Sequence, residues 1–595
     1  MALWQPPATA AGRAGLLLAL TLGATLATCT GPALTPQPTP PPSRAPTLHS
    51  LTPQPTATPG GPAFRRPLPV IYKFFDVGTD FQTLHPEYGP IGSVHYVTWE
   101  EINPAPGRFD WGPIDRQLAR EAALKVTLRD GRVVSKPVAL EVALYRSQHP
   151  NQGNYFFYDC TPQWVYQAMG DRPAVDGRLA GHVVTCGTTQ GVVPAYDSPA
   201  WQNAHAEMVR ALGARYRDHP QIEAVFISTG IDEETQVIKN TRGCEWKEIV
   251  RQQARDLEPA FDRFVLDCMR LYREAFPTNP IYILNTPGRR RETSDFAASL
   301  VPPVGIKNCA LEVDLDSLTG YGGFVGRFDP WETYSNTIPI WLETLYGLGN
   351  AETRYWAFIA GLHYHPDAID VHAEFLTQSQ PGWLAFVHDH LGRTIETTPD
   401  VWVVLRDFEF PKVMWGTSGQ SGRMGDWDYW LYRLEGAPAS RTVRVWRADL
   451  PAACQDQVYS RQARRTDQAH GQTFMSFNID DRYPFVRARP DDPPERRPAY
   501  RVDLKVLNQG GDSLALEYKN WAGLPVRRTV RKGAELGPAD RWVDLSFVLD
   551  DAYFANDLPG GADFRLSCEG DGDEVVHMVR VTGAWGAPPA PVPLP

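Results

Sequence analysis

The stretch EAVFISTGIDEETQ at positions 223–236 decides the fold: a short β-branched and aromatic run leads into a loop rich in carboxylates. An amphipathic segment at 257–276 follows it, and a second β-rich run at 280–285 comes next. A strand, a helix and another strand in this order are typical of a parallel βα unit. Positions 223–236 therefore predict one strand of a parallel sheet whose carboxyl end carries acidic side chains.

The same alternation extends in both directions, from about residue 70 to residue 399. The predicted strands are 93–98, 137–145, 192–196, 223–229, 280–285, 305–313, 338–343 and 368–373. The predicted helices include 113–124, 201–216, 257–276, 351–362 and 382–391. Eight such units within about 330 residues match an α/β fold of the (β/α)8 TIM barrel type in size and order.

Beyond residue 399 the helical period fades, and alternating runs separated by Gly, Pro and Asp replace it. These runs are 429–434, 442–446, 500–507, 513–518, 542–549 and 574–581. Alternation with a period of two predicts half-buried strands, so we expect residues 400–595 to form an all-β sandwich of the jelly-roll kind. The segment 542–566 is similar to parts of carbohydrate-binding sandwiches. Two roles stay open for this domain: binding sugar, or supporting the barrel.

The first residues have the pattern of an export signal. Residues 15–27 form an apolar run that is too short for a membrane-spanning helix and typical of a signal peptide. The run LATC at 26–29 resembles a bacterial lipobox, in which Cys29 would carry a lipid, although Thr28 replaces the usual Gly, Ala or Ser. The expected products are a surface lipoprotein or, alternatively, a secreted protein. The expected order is signal peptide 1–29, Pro/Thr-rich linker 30–66, catalytic barrel 67–399 and sandwich 400–595.

The composition excludes several classes of protein. The net charge of −11 is spread along the chain without a long basic block, so no nucleic-acid partner is expected. The eight cysteines include no CxxC pair and no Cys/His cluster at zinc spacing, so no metal and no cofactor are expected. Cys160 and Cys186 could form a disulfide bridge, or both could be small buried thiols. The 18 Trp and 23 Tyr side chains could stack on sugars or fill cores.

Acidic side chains at two strand ends suggest the chemistry. In a TIM barrel the functional residues lie at the carboxyl ends of the strands. The fourth predicted strand is followed by Glu233 and Glu234, and the seventh ends at Glu343. Glycoside hydrolysis needs two such carboxyl groups, one protonated to release the leaving sugar and one ionised to attack the anomeric carbon. Burial and mutual repulsion raise the pKa of one of them and so assign it the acid role.

Other strand ends supply candidate substrate-binding side chains. They are Trp99, Glu100, Tyr145, Asn285, Asp314, Trp341, Tyr346 and His372. For Trp99 a second role is equally open, because its ring could pack under its own loop instead of against a sugar.

The stretch HYVTWEEINPAPGRFDW at 95–111 resembles the first βα unit of retaining barrel glycoside hydrolases of clan A, and is similar in particular to family 42-type β-galactosidases. The shared pattern is W-x-x-I-x-P-x-x-G-x-F/Y-D-W. The resemblance implies an oligo- or polysaccharide substrate, Glu234 or alternatively Glu233 as the acid/base residue, and Glu343 as the nucleophile.

The sequence also departs from the clan. Most members have an Asn-Glu pair after the fourth strand, whose Asn binds the sugar 2-hydroxyl group. Here Asp232 and Glu233 precede Glu234, and no Asn is adjacent. Either another group binds that hydroxyl or the activity has diverged. The alternative hypothesis is a catalytically inactive surface protein that binds glycans through a degenerate barrel.

Overall fold

A computed structural model describes most of the chain from residue 65 onward. The described residues are 65–74, 86–148, 155–186, 189–238, 246–253, 256–284, 290–311, 330–344, 351–377, 379, 381–405, 409–410, 422–423, 426–434, 441–444 and 462–594. The predicted signal peptide at 1–29 and nearly all of the predicted linker at 30–66 lie outside them. In the described ranges no helix is both long and apolar enough to cross a membrane.

Eight parallel strands close into a barrel in sequential order, which confirms the predicted TIM barrel. They are β1 (Ile71–Lys73), β2 (Ile91–Thr98), β3 (Val138–Ala143), β4 (Ile222–Ile227), β5 (Ile281–Leu284), β6 (Gly305–Leu311), β7 (Ile340–Thr344) and β8 (Ala368–Val371). Strands β1 and β8 pair with each other, which closes the sheet. Both faces of the strands are covered, so their apolar runs are nearly continuous.

The structure differs from the sequence prediction at two strands. The first barrel strand, β1, is only three residues long, too short to show any alternation. The predicted strand 192–196 overlaps the antiparallel hairpin of His182–Cys186 and Thr189–Val193, which lies outside the barrel. A hairpin strand has the same β-branched signature as a barrel strand. The prediction thus omits one barrel strand, β1, and adds one false strand, 192–196, so the total stays at eight. The fourth to eighth predicted strands therefore occupy the correct barrel positions.

Helices surround the barrel, and local sequence explains where they begin. They are Trp99–Ile102, Gly112–Ala123, Gln163–Ala168, Pro199–Tyr216, Trp246–Gln253, Leu257–Ala275, Arg290–Ser299, Pro330–Tyr334, Ala351–His363, Ala373–Thr377 and Pro381–His390. In Pro199–Tyr216, for example, the Ser198 side chain accepts a hydrogen bond from the Trp201 backbone N–H, and Pro199 occupies the first turn. Both features favour the start of a helix at that point.

Aromatic rings fill the inside of the barrel. Trp341 on β7 is fully buried, and its ring centroid lies 4.6 Å from that of Tyr72, 4.9 Å from Phe226 and 5.3 Å from Tyr282. Inward side chains from four different strands thus meet in one layer, as expected for a packed barrel interior. This layer of buried rings is the aromatic floor beneath the carboxyl ends of the strands.

The C-terminal region contains a seven-stranded and a five-stranded antiparallel sheet, as predicted for a sandwich, together with the two-stranded pair of Glu409–Phe410 and Gly422–Arg423. The first sheet consists of Val401–Val404, Trp427–Tyr429, Arg441–Arg444, Gln462–Arg465, Ala499–Asn508, Arg541–Leu549 and Val575–Ala584. The second consists of Leu431–Leu434, Phe474–Ile479, Ser513–Lys519, Pro525–Arg531 and Phe564–Ser567. Barrel and sandwich belong to one compact unit.

Cys160 is a buried free thiol. Of the two states that the sequence left open for it, a bridge to Cys186 or a small buried thiol, the structure shows the second.

Candidate active site

Two of the predicted glutamates meet where β4 and β7 end. The ammonium group of Lys307, on β6, donates hydrogen bonds to Glu233 Oε1 and to Glu343 Oε2, each at 2.5 Å. Because both oxygen atoms contact the same nitrogen atom, they are at most about 5 Å apart. The three side chains are 0%, 5% and 11% exposed, in the order Lys307, Glu233 and Glu343. The site is therefore an almost fully buried pair of carboxyl groups with a lysine between them.

A tight turn after β4 positions Glu233. Asp232 and Glu233 have φ angles of 50° and 61°, a left-handed conformation that non-glycine residues rarely adopt. The Asp232 N–H donates to the Tyr145 carbonyl at 2.9 Å, and the Ser147 N–H donates to Asp232 Oδ1 at 2.8 Å. These bonds tie the turn to the segment that follows β3 and keep Glu233 beside Lys307.

Glu343 is positioned by strand β7 itself. Side chains two residues apart on a strand point to the same side, so Glu343 extends the inward row that begins with Trp341. The Glu343 N–H donates to Asn308 Oδ1 at 3.1 Å, and Glu343 is the register partner of Asp370 on β8. Trp341 Nε1 in turn donates to Asp370 Oδ1 at 2.6 Å. Trp341 thus supports the site from below.

Burial dominates the electrostatics of the site. It raises the pKa of Glu233, and the negative charge of Glu343 adds to this effect, whereas the charge of Lys307 opposes it. Burial also raises the pKa of Glu141, on β3, and of Asp370 well above their ordinary values, so both favour the neutral form. Burial alone would lower the pKa of Lys307, but the charges of Asp370, Glu233 and Glu343 outweigh it and raise that pKa. Lys307 is therefore a stable cation, and Glu233 has the environment of a general acid.

The two candidates for the acid/base residue occupy different environments. The Glu234 side chain accepts a hydrogen bond from the amide of Gln236, whereas Glu233 contacts Lys307 beside Glu343. The geometry favours Glu233 over Glu234. With Glu233 in this place, the residue directly before it is Asp232, a carboxylate where most of the clan has Asn.

The other predicted substrate-binding residues are scattered. Trp99 is fully buried, with its ring centroid 5.6 Å from that of Trp201, which favours the role of packing under its own loop. Glu100 forms an ion pair with Arg178 at 2.6 Å. Tyr145 is fully buried and donates a hydrogen bond to the Val192 carbonyl.

Of the four remaining predicted substrate-binding residues, the structure describes His372. The ring centroid of His372, which is 8% exposed, lies 4.9 Å from that of Phe74. Asn285, Asp314 and Tyr346 lie outside the described residues. Within those ranges there is no cluster of three or more His, Cys, Asp or Glu side chains that could hold a metal ion.

Three charged residues of the site were missed from the sequence: Glu141, Lys307 and Asp370. Each lies inside a predicted strand that is otherwise apolar, VALEVA at 138–143, GIKNCAL at 305–311 and AIDV at 368–371. A charged side chain in a strand buried on both faces needs a partner of opposite charge, and this signal could have identified all three.

Residues 78–259 match the family model for glycoside hydrolase family 42, described as beta-galactosidase. No curated protein matches the chain. Solved structures to which the chain is similar include xylanase XynB from Paenibacillus barcinonensis (13% identity, 51% of this chain, 84% of that chain, TM-score 0.29) and the beta-galactosidase from the psychrophilic Marinomonas ef1 (12%, 54%, 58%, 0.30). A catalytic mutant of a GH42 β-galactosidase from G. stearothermophilus is similar at 12% identity, 52% of this chain, 52% of that chain and a TM-score of 0.31.

The match spans little more than half the length of either β-galactosidase. The residues that match the family model include the motif at 95–111 and the turn with Glu233. Together with the closed barrel, this family match shows that the chain is similar to (β/α)8-barrel glycoside hydrolases of clan A, in particular to family 42-type β-galactosidases.

Proposed function

We propose that this protein hydrolyses an oligo- or polysaccharide by a retaining double displacement, with Glu233 as acid/base residue and Glu343 as nucleophile. The observation that carries the proposal is their shared contact with Lys307. Carboxyl groups about 5–5.5 Å apart suit a retaining enzyme, whereas inverting enzymes need about 6.5–9.5 Å to admit a water molecule. Oxygen atoms at most about 5 Å apart fall on the retaining side of this division.

The reaction would proceed in two steps. In the first, Glu233 donates its proton to the leaving-group oxygen while the ionised Glu343 attacks the anomeric carbon, which breaks the glycosidic bond and forms a glycosyl ester. In the second, Glu233 removes a proton from water, the water oxygen attacks the anomeric carbon and Glu343 is released. Glu233 then holds the proton again, and the sugar keeps its anomeric configuration.

The test is turnover of an aryl-glycoside panel by the wild type and by Glu343→Gln, with Glu574→Gln as control. Glu574 is a buried glutamate of the sandwich, so the control makes the same chemical change far from the site. We expect Glu343→Gln to lose turnover by more than about 10³-fold and Glu574→Gln to keep it. Trapping with a fluorosugar and peptide mass spectrometry should find the label on Glu343. A label on another residue would contradict the assignment.

A catalytically inactive glycan-binding protein is the second candidate, and two observations favour it. Asp232 stands where most of the clan has Asn, and the ammonium of Lys307 opposes protonation of Glu233. The same panel separates the two functions. Binding of a glycan by the wild type without turnover of any member of the panel would support this candidate.

We further propose that the protein is exported and held at the cell surface by a lipid on Cys29. The support is the apolar run 15–27, the LATC pattern at 26–29 and the Pro/Thr-rich linker that follows. Incorporation of labelled palmitate into the wild type but not into Cys29→Ser would be the expected result. Release of unlabelled protein into the medium by both would favour plain secretion.

A further inference from the structure

Lys307 is a fully buried cation of the candidate site, and the barrel interior encloses it. The residue is 0% exposed. Its ammonium nitrogen lies 4.5 Å from the ring centroid of Phe226 and 5.8 Å from that of Phe74. A cation over an aromatic face is attracted to the ring, more strongly when water is excluded. The ammonium group therefore lies directly above the aromatic floor of the barrel.

Its contacts lie on three sides. Glu233 and Glu343 each accept a hydrogen bond at 2.5 Å, and Asp370 Oδ2 lies 3.9 Å away. These residues come from the turn after β4, from β7 and from β8. Removing Lys307 would leave buried carboxyl groups without their cation, which costs more than the loss of an exposed pair. One side chain thus connects three of the eight positions around the barrel.

We propose that Lys307 is a positioning residue for glycoside hydrolysis: its ammonium fixes the separation of Glu233 and Glu343 and places a positive charge beside the carboxylate that attacks. The proposal rests on the proposed function above. Lys307 lies outside residues 78–259, so the family match does not assign it any role. It does not contact the substrate in this scheme but acts through the two glutamates.

The physical need for such a residue follows from repulsion. Two buried carboxyl groups at this distance repel each other when both are ionised, so one of them takes up a proton, and the one that stays ionised needs a cation beside it. Lys307 supplies that cation, while burial and Glu343 together work in the opposite direction on Glu233 and favour its protonated form. The result is a pair with divided roles, one member protonated and one ionised.

The other ionisable groups around Lys307 belong to the same network. Glu233, Glu343, Asp370 and Glu141 on β3 interact with Lys307 itself, and Tyr96 on β2 and Arg146 interact with these carboxyl groups. Every acidic member becomes easier to protonate when the neighbouring ammonium is removed. Loss of Lys307 therefore favours the protonated form of every acidic group in the network.

The experiment compares Lys307→Met with Lys532→Met by recording kcat/KM against pH. Lys532 is a matched control: it is also buried between two carboxylates, Asp512 at 3.0 Å and Glu574 at 2.9 Å, but it lies in the sandwich. We expect Lys307→Met to lower kcat by about 10²-fold or more and to move both limbs of the pH profile upward by about one pH unit or more. Lys532→Met should lower stability but leave both limbs in place.

Lys307→Arg provides a second variant that keeps the charge in the barrel. It should lower kcat, because the larger guanidinium displaces the carboxylates, but leave both limbs within about half a pH unit of wild type. The proposal for Lys307 would be overturned, with the proposed function intact, by either of two results. In one, the limbs of the pH profile of Lys307→Met coincide with those of the wild type. In the other, the limbs of Lys307→Arg shift as those of Lys307→Met do. A wild type without glycosidase activity, or an active Glu343→Gln, would overturn the proposed function and this proposal with it.

Discussion

A left-handed turn after β4 decides which acidic side chain enters the barrel. Asp232 and Glu233 each adopt a conformation that costs about 1–3 kcal/mol outside glycine. Gly230 makes the turn possible, because a Cβ atom at that position would lie 2.1 Å from the Gln236 carbonyl oxygen. Strain of this kind persists where surrounding hydrogen bonds fix the geometry, and it clusters at functional sites. The turn thus directs Glu233 toward Lys307 and leaves Glu234 with Gln236.

For this single residue, we predict that the substitution Glu233→Gln lowers kcat/KM by about 10²–10⁴-fold on glycosides with poor leaving groups. The variant should lose far less on aryl glycosides of acidic phenols, because such leaving groups depart without a proton. Since burial raises the pKa of Glu233, the wild type should remain active at higher pH than an exposed glutamate would permit, and the variant should lack this alkaline limb. Glu234→Gln serves as comparison. If it, rather than Glu233→Gln, shows the leaving-group dependence, Glu234 is the acid.

Between secondary-structure elements, the βα unit that begins with β2 owes its position to aromatic packing. Trp99 begins the short helix Trp99–Ile102 and packs against Trp201, in Pro199–Tyr216, with an angle of 78° between the rings. Its Nε1 donates to Asn103 Oδ1 at 3.1 Å. The side chain is 0% exposed, so this motif residue holds two helices together instead of facing the barrel mouth.

Trp99→Ala should therefore lower the free energy of unfolding by about 3–5 kcal/mol, through the cavity it leaves, with little change in KM. Urea unfolding followed by fluorescence measures the first effect, and steady-state kinetics measures the second. Trp585→Ala is the control, because Trp585 is 56% exposed and its loss should cost less than about 0.5 kcal/mol. A large rise in KM without destabilisation would instead show that Trp99 stacks on the substrate.

For the whole molecule, polar contacts join the barrel to the sandwich. Tyr355, on a barrel helix, hydrogen-bonds His577 of the sandwich at 2.8 Å. His390 Nε2 contacts Asp400 Oδ1 at 2.7 Å, and the Tyr429 hydroxyl donates to the His390 carbonyl at 2.7 Å. All five residues are buried. The sandwich therefore shares a core with the barrel, which suits a supporting role and leaves sugar binding open.

Asp400→Asn should destabilise the protein in a pH-dependent way. Burial would raise the pKa of Asp400, but the charge and hydrogen bond of His390 and the charges of Arg580 and Arg501 leave that pKa below its ordinary value. A depressed pKa contributes stability that is present above the unfolded-state pKa of about 3.9 and is lost as the pH falls through the folded-state value.

We expect Asp400→Asn to cost about 3 kcal/mol at pH 7, and the difference from wild type to shrink as the pH falls below about 4. Urea unfolding at several pH values measures this, with Asp218→Asn, 94% exposed in its side chain, as a control that changes stability little. A cost that is equal at pH 7 and pH 3 would show that the charge of Asp400 contributes nothing.

The sequence alone determined the architecture and the two strand ends that carry the candidate catalytic carboxyl groups. Apolar runs and amphipathic segments are local patterns, so the parallel barrel, the β-rich region after it and the acidic ends of β4 and β7 could all be predicted. The three-residue β1 and the hairpin strand near 192–196 could not be distinguished in this way, because neither length nor composition marks closure of a barrel.

The tertiary structure decided how the charges meet. Glu141, Lys307 and Asp370 lie far apart in the chain, and only closure of the barrel brings them to Glu233 and Glu343. The choice between Glu233 and Glu234 depends on two backbone angles held by hydrogen bonds to a segment about 85 residues earlier in the chain. Periodicity describes neighbours along the chain, whereas a buried ion cluster is set by neighbours in space, and this is why the position of the lysine between the two glutamates could be known only from the fold.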